Sequence, residues 1–134
     1  ILNVTPDSFF DQGKWFDSEQ AIQRGIQIFH QGADWLDIGG ESTRPKASPV
    51  SEKEELKRIL PVIKGLKNKI TIPISIDTMK PKIAEAAIKE GAKMINDVAG
   101  FQDPFMRKIA AETAWITNAF FLLLFWVMII WAKP

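Results

Sequence analysis

Short apolar runs alternate with amphipathic stretches along residues 1–112 of the chain. The apolar runs have the length of strands and occupy residues 1–4 (ILNV), 34–40 (DWLDIGG), 72–77 (IPISID) and 92–97 (AKMIND). Between these runs apolar side chains recur at helical spacing, as at Ile22, Ile26 and Phe29. The pattern therefore predicts four strands, each followed by a helix.

Capping and stop signals support the four helices. They are predicted at residues 17–32, 51–60, 80–90 and 103–112, and a glycine closes the first and follows the third. Ser51 and Glu54 form a capping box at the start of the second helix. Pro61 is expected to kink or restart that helix, because proline cannot donate the backbone hydrogen bond of a helix interior.

Strands that alternate with helices imply an α/β fold with a parallel sheet and right-handed crossovers. A doubly wound sheet and a TIM (β/α)8 barrel both satisfy this pattern. Four strand–helix units would make half of an eight-unit barrel of about 250 residues. The pattern alone leaves both architectures open.

A polar residue stands at the end of each predicted strand. These residues are Asn3, Asp37, Asp77 and the pair Asn96-Asp97. In barrels the chemistry lies at the carboxyl ends of the strands, so we expect these side chains to meet at one rim. Asn and Asp are also common turn formers, an interpretation that four occurrences out of four weaken.

The segments after the first two strands carry groups that suit phosphate. Arg44 has a planar fork that matches phosphate oxygens, although an exposed loop arginine is often only solvated. Gly39 and Gly40 would let the backbone approach a ligand closely. Neutral contacts to phosphate oxygens or to a hydrated Mg²⁺ could come from Asn3, Thr5 and Ser8.

Aromatic residues are concentrated after the first strand. Phe9, Phe10, Trp15 and Phe16 could form a pocket for a flat ring, or some of them could pack beneath the loop. Both interpretations stay open on the sequence alone.

Composition excludes several classes of function. The net charge of +1 gives no footprint for nucleic acid, and we expect no nucleic-acid partner. The absence of cysteine excludes disulfides, thiolate zinc sites and a cysteine nucleophile, and it fits a reducing compartment such as the cytoplasm. His30, the single histidine, is predicted at the end of the first helix, away from the rim. No G-x-G-x-x-G motif, Walker loop or signal peptide is visible.

Four motifs, each at a predicted strand end, carry a family resemblance. They are ILNVTPDSFFDQG, GADWLDIGGESTRP, PISIDT and GAKMINDVAG, in this order along the chain. Together they resemble the dihydropteroate synthase family over residues 1 to about 112. The resemblance implies the first four units of a TIM barrel. It also implies a transferase of folate biosynthesis and a target of sulfonamides. That enzyme joins 6-hydroxymethyl-7,8-dihydropterin diphosphate to 4-aminobenzoate and releases diphosphate, and the complete family protein is expected to be a homodimer.

The resemblance also implies roles for individual residues. Asp77 and Asn96 would bind the polar edge of the pterin, and Asn3 would help to hold Mg²⁺ and the diphosphate. Thr43 and Arg44 would close over the diphosphate and the aminobenzoate. The implied aminobenzoate pocket contains Phe9, Asp11 and Pro45, and the implied catalytic groups are Asp11 and Arg44. Phe10 and Gln12 stand where the family usually has small residues.

Two alternatives to this function remain. A methyltransferase-type barrel domain that binds a pterin or a folate would share the Asp77 and Asn96 pair, and a truncated remnant would have no catalysis. The motifs of the second half of the family barrel cannot be matched in this sequence, so the chain alone is expected to be incomplete and inactive.

The last segment, residues 113–134, differs from the rest of the chain. Its only charge is Lys133, and it holds an unbroken apolar run at residues 119–132. Three interpretations are open: a fifth strand with an extension, a short membrane segment, or a non-native tail from a shifted reading frame or a junction. The third is favoured because the composition changes abruptly, and a membrane segment is disfavoured because the run is short.

Overall fold

A computed structural model of the protein describes residues 1–5, 10–11, 15–42, 48–113 and 116–117. Its strands are β1 (Leu2–Asn3), β2 (Phe10–Asp11), β3 (Trp15–Phe16), β4 (Leu36–Gly39), β5 (Ile74–Asp77), β6 (Met94–Asn96) and β7 (Ile116–Thr117). Its helices are α1 (Ser18–His30), α2 (Glu52–Leu66), α3 (Pro81–Glu90) and α4 (Pro104–Thr113).

Five of the strands form one parallel sheet in the order β1-β4-β5-β6-β7. Each strand therefore pairs with the next one of the sheet along the chain, and the order never reverses. A doubly wound sheet reverses its order at a switch point, whereas a barrel does not. The order supports the predicted barrel units over the doubly wound alternative.

The segment after β1 holds a feature that the sequence did not predict. β2 and β3 pair antiparallel as a small hairpin outside the main sheet, with Phe10 opposite Phe16 and Asp11 opposite Trp15. Aromatic residues favour extended backbone, which explains why these short pieces pair.

The helices α1 and α2 begin directly after the predicted capping residues, Asp17 and Ser51. The Asp17 carboxylate accepts the N–H of Glu19 at 2.9 Å and of Gln20 at 3.2 Å, and Ser51 Oγ accepts the N–H of Glu54 at 3.3 Å. His30 is exposed in the last turn of α1, as expected.

Pro61 was expected to kink or restart the second helix, and the restart does not occur. The helix α2 continues through Pro61 to Leu66. Pro61 and Lys57 both lie on the exposed side of α2. Water can therefore bind the Lys57 carbonyl that would otherwise accept a hydrogen bond from residue 61.

The core lies between the sheet and the helices. Gly25 of α1 shows how closely the layers pack, because a Cβ there would lie 2.9 Å from a methyl carbon of Leu66 and 3.2 Å from one of Leu36. The fully buried core side chains of the sheet and of the two helices that follow β4 and β5 include Leu36, Ile38, Ile59, Val62, Ile63, Ile76 and Ile83. Alternate strand residues point to opposite faces, so the polar positions between these apolar ones share the other face.

The strand β7 lies beyond residue 112, where the barrel part of the chain was predicted to end. It pairs parallel with β6, Met94 opposite Ile116 and Ile95 opposite Thr117. Residues 118–134 lie outside the described part, so the three interpretations of the tail stay predictions. Within the described residues no helix is long and apolar enough to span a bilayer.

Candidate active site

One row of the sheet brings three of the predicted site residues together. The strand register places Asn3 opposite Gly39, Gly39 opposite Asp77, and Asp77 opposite Asn96. Residues in register on parallel strands point to the same face, so the side chains of Asn3, Asp77 and Asn96 lie on one side of the sheet. This side is opposite to the face of Ile38 and Ile76. The expected meeting of polar residues at one edge is therefore present for these three.

Asp37 does not stand at the end of its strand as expected. Pairing with β5 extends β4 to Gly39, which places Asp37 inside the strand, opposite Ser75. Its side chain still belongs to the polar face, because residues two apart in a strand point the same way. Asp37 Oδ1 accepts the hydroxyl of Ser75 at 2.5 Å, and Asp37 Oδ2 accepts the Nδ2 of Asn96 at 3.1 Å.

Asp77 is the acidic centre of this face. Its Oδ1 is buried and has no hydrogen-bond partner, which is true of no other buried side-chain nitrogen or oxygen in the described residues. Burial raises the pKa of Asp77 to about 6, and the charges of Asp37, Glu55 and Asp97 add to the rise. A carboxylate that is desolvated and lacks donors is suited to receive N–H groups from a ligand.

Asn96 supplies a second acceptor beside Asp77. Its Nδ2 is engaged by Asp37, so the Oδ1 of the same planar amide points away from that carboxylate. The Asp77 and Asn96 oxygens thus stand on neighbouring strands, in register. Together they can accept two N–H groups from the edge of a flat polar molecule.

Asp97 has a structural role, although it follows Asn96 directly. Its side chain accepts the N–H of Ala99 at 2.8 Å and of Phe101 at 2.8 Å. These bonds form the turn that leads into α4, where Phe101 has a positive φ of 58°. The common turn-forming role of an Asp therefore applies to this residue.

A buried network of charges lies beside the site, and the sequence did not predict it. Glu55 is fully buried, and its two oxygens accept Thr78 Oγ1 at 2.9 Å and Lys80 Nζ at 2.6 Å. Lys80 Nζ also donates to Glu41 Oε2 at 2.6 Å and to the carbonyl of Val50 at 2.7 Å. Burial alone would lower the pKa of Lys80, but its bonds to Glu41 and Glu55 and their charges raise it.

The network also engages Glu41, and α2 packs directly against Gly40, one of the two glycines expected to let a ligand approach. Glu41 accepts Lys80 and the N–H of Val50, at 3.0 Å, and these contacts hold its pKa below the usual value despite burial. Gly40 is needed by the helix, since a Cβ there would lie 2.8 Å from Ile59 Cγ2 and 2.9 Å from Glu55 Cγ. Of these two glycines, Gly39 is the one that borders the polar face, since a Cβ there would lie 3.5 Å from Asp77 Oδ2.

The other predicted site residues cannot be placed. Phe9, Thr43, Arg44 and Pro45 lie outside the described residues, and of Asp11 only the backbone in β2 is described. Their roles stay predictions.

The Asn3 side chain is suited to coordinate Mg²⁺. It is exposed at the end of β1 and offers an amide oxygen, a donor that Mg²⁺ accepts. No group of three carboxylates or histidines gathers as a metal site in the described residues. An ion at Asn3 would therefore depend on substrate oxygens and water for its remaining ligands, which is usual for Mg²⁺ beside phosphates.

Comparisons with known proteins identify the family of the chain. The family model described as "Pterin binding enzyme" matches residues 1–119. Dihydropteroate synthase of Clostridium beijerinckii is 51% identical over 113 residues, which are 84% of this chain and 42% of that protein. The chain thus spans less than half the length of this relative.

Solved structures of dihydropteroate synthases also match this chain over less than half of their own length. Xanthomonas albilineans dihydropteroate synthase with 4-aminobenzoic acid has a TM-score of 0.77 and 47% identity, over 83% of this chain and 41% of that one. Yersinia pestis dihydropteroate synthase in a sulfonamide drug complex has a TM-score of 0.76 and 42% identity, over 87% and 42%. The chain belongs to the family of pterin-binding enzymes.

Proposed function

We propose that this chain forms the pterin-binding part of a dihydropteroate synthase barrel. In the complete barrel the enzyme condenses 6-hydroxymethyl-7,8-dihydropterin diphosphate with 4-aminobenzoate to give 7,8-dihydropteroate and diphosphate. The observation that carries the proposal is the buried, unpartnered Asp77 Oδ1 beside Asn96. A pterin offers a ring N–H and an amino group on one edge, and these two donors match the two oxygens.

The reaction needs charge stabilisation more than a protein nucleophile. Asp77 and Asn96 would fix the ring so that its methylene faces the amine of 4-aminobenzoate. Arg44 would stabilise the negative charge of the departing diphosphate, and the Asp11 carboxylate would favour the positive charge that develops on the methylene. The diphosphate would leave with the electron pair of the C–O bond, and the amine would attack this carbon and lose one proton to water. The absence of cysteine from the sequence is consistent with such a route.

The remaining groups would bind and orient the two substrates. Thr43 would contact the diphosphate, and Phe9 and Pro45 would border the aminobenzoate ring. Asn3 would hold Mg²⁺, which when bound supplies Lewis-acid stabilisation of the diphosphate. Closure of the site against water would strengthen each of these electrostatic contacts.

Calorimetry with the pterin diphosphate, with and without Mg²⁺, tests the proposal. We expect Mg²⁺-dependent binding that Asp77→Asn abolishes. Asp34→Asn, an exposed change before β4 at the opposite end of the sheet, should leave binding intact. Binding that ignores Mg²⁺ would favour a pterin or folate domain of the methyltransferase type. No binding at all would contradict the proposal and leave a non-catalytic remnant.

The complete protein is further proposed to be a cytoplasmic homodimer. The family resemblance and the lack of cysteine support this, and sedimentation of the complete protein checks the dimer. The same resemblance proposes that sulfonamides compete with 4-aminobenzoate.

A further inference from the structure

Asp37 is a buried carboxylate that the proposed reaction does not use. It is 9% exposed and lies on β4, two residues before Gly39, which pairs with Asp77 in the row that also contains Asn96. Its two oxygens bind different strands, since Oδ1 accepts Ser75 Oγ of β5 and Oδ2 accepts Asn96 Nδ2 of β6. A buried acid held so specifically needs a reason, because burial of an unpaired charge is costly.

The contact with Asn96 decides which end of its amide meets a ligand. An asparagine amide can present either its oxygen or its NH₂ group, and the two orientations differ by a rotation of about 180°. The Asn96 amide donates from Nδ2 to Asp37 Oδ2 at 3.1 Å, so the amide presents its NH₂ group to that oxygen. The opposite orientation would place two acceptor oxygens against each other.

Ser75 completes the arrangement. Its hydroxyl donates to the other Asp37 oxygen at 2.5 Å, so the plane of the carboxylate is held from two sides. A carboxylate fixed in this way defines the direction of the oxygen that receives the Asn96 amide.

We propose that Asp37 is a positioning residue that holds the Asn96 amide with Oδ1 toward the ligand, making this half of the site selective for N–H donors. The inference rests on the proposed function for the identity of the ligand, a pterin. It does not rest on that function for the orientation of the amide, which exists in the ligand-free chain.

The first test is nuclear magnetic resonance on the ligand-free chain. The Asn96 side-chain NH₂ protons should exchange slowly with water in the wild type and at least tenfold faster in Asp37→Asn. Asp97→Asn is the matched control, because it removes another buried carboxylate, one whose two oxygens accept the backbone N–H groups of Ala99 and Phe101. Unchanged exchange in Asp37→Asn overturns the proposal, whether or not the chain binds a pterin.

The second test is a double-mutant cycle with 6-hydroxymethyl-7,8-dihydropterin as the probe. Asp37→Asn should weaken binding at least tenfold when Asn96 is present and less than twofold in the Asn96→Ala background. Asp97→Asn should have the same effect in both backgrounds. Equal losses for Asp37→Asn in both backgrounds would mean general loss of structure and would overturn the proposal.

The two tests separate the failure of the inference from the failure of the function. If the wild type binds no pterin, the proposed function fails while the exchange experiment still decides the role of Asp37. If it binds pterin and the cycle is additive, the function stands and the positioning role does not.

Discussion

Replacing Lys80 by Met should leave a buried carboxylate without its counter-charge. Lys80 Nζ donates to Glu55 Oε2, to Glu41 Oε2 and to the Val50 carbonyl, all within 2.7 Å. Glu55 is fully buried, and the Thr78 hydroxyl is its other hydrogen-bond donor among the described residues. Methionine keeps the apolar stem of lysine, so the change removes the charge and the three donated bonds while retaining most of the packing.

The expected loss of stability follows from the burial of Glu55. Removing one partner of a buried ion pair costs about 3–5 kcal/mol, because the other charge stays buried and unpaired. The Lys80 side chain is 23% exposed, so water screens part of this cost and the lower figure applies. We expect the free energy of unfolding to fall by about 3 kcal/mol, which lowers the melting temperature of a domain of this size by roughly 10–20 °C.

Lys82→Met is the matched control for this experiment. Lys82 pairs with Glu52 at 3.0 Å, but the two side chains are 75% and 44% exposed. An exposed pair contributes about 0–1 kcal/mol. Both variants should be unfolded in urea and followed by circular dichroism. If Lys80→Met loses no more stability than Lys82→Met, Glu55 does not depend on Lys80 and the reasoning fails.

Lys80→Arg provides a second comparison. It keeps the positive charge but replaces a point-like ammonium by a wider planar group. We expect it to recover part of the stability that Lys80→Met loses. A loss as large as that of the Met variant would show that shape, and not charge, decides the effect.

Three further outcomes can be measured on the same chain. In the folded chain the pKa of Asp77 is about 6, above its ordinary value of 3.8. Protonation of Asp77 therefore stabilises the folded state below about pH 4, and this stabilisation is lost as the pH rises through 6. The wild type should therefore lose up to about 3 kcal/mol relative to Asp77→Asn between these limits, measured by urea unfolding, and parallel pH profiles would contradict this. Gly40→Ala should lower the free energy of unfolding by about 1–3 kcal/mol, because its Cβ would be forced against Ile59. Gly39→Ala should be tolerated, because its Cβ would lie 3.5 Å from the nearest atoms. Equal losses of stability in urea unfolding would refute the comparison. The isolated chain should self-associate through unpaired strand edges and show no turnover, and a monomer in sedimentation that forms dihydropteroate would refute both expectations.

The strands and helices were predictable because local signals determine them. Alternation of apolar and polar residues in Ile74-Ser75-Ile76-Asp77 fixes which side chains share a face, and the Asp17 and Ser51 caps fix where helices begin. The meeting of Asn3, Asp77 and Asn96 followed from the same alternation together with the parallel sheet.

Other features depend on contacts between distant parts of the chain. The predicted run 34–40 already continued past Asp37, but only the pairing of Gly39 with Asp77 shows that Asp37 lies inside the strand and not at its functional end. In the sequence Ser75 is only a small residue in an apolar run. Its hydrogen bond to Asp37 depends on the pairing of β4 with β5 in the sheet.

Glu55 is the clearest case of a residue whose environment is set by tertiary packing. It lies in a run of charged residues at the start of α2, which suggests an exposed helix face. Packing of α2 against the end of β4 buries it instead, as the 2.9 Å approach of Glu55 Cγ to a Cβ position at Gly40 shows. The helical periodicity of apolar residues predicts the buried face of such a helix only to within about one residue position, which is too coarse to identify Glu55 as buried.

The distribution of charge at the site bears on how the proposed substrate would lie. The floor of the site is acidic, since Asp37 and Asp77 share the polar face and the charge of Asp97 also acts on Asp77. Lys80 does not offset this, because its ammonium group is already bound to Glu41 and Glu55. An anion placed against this floor would be repelled, whereas N–H donors are attracted. In the proposed complex the donor edge of the pterin would therefore face Asp77, and its diphosphate would point toward the ends of β1 and β4, where Asn3 lies.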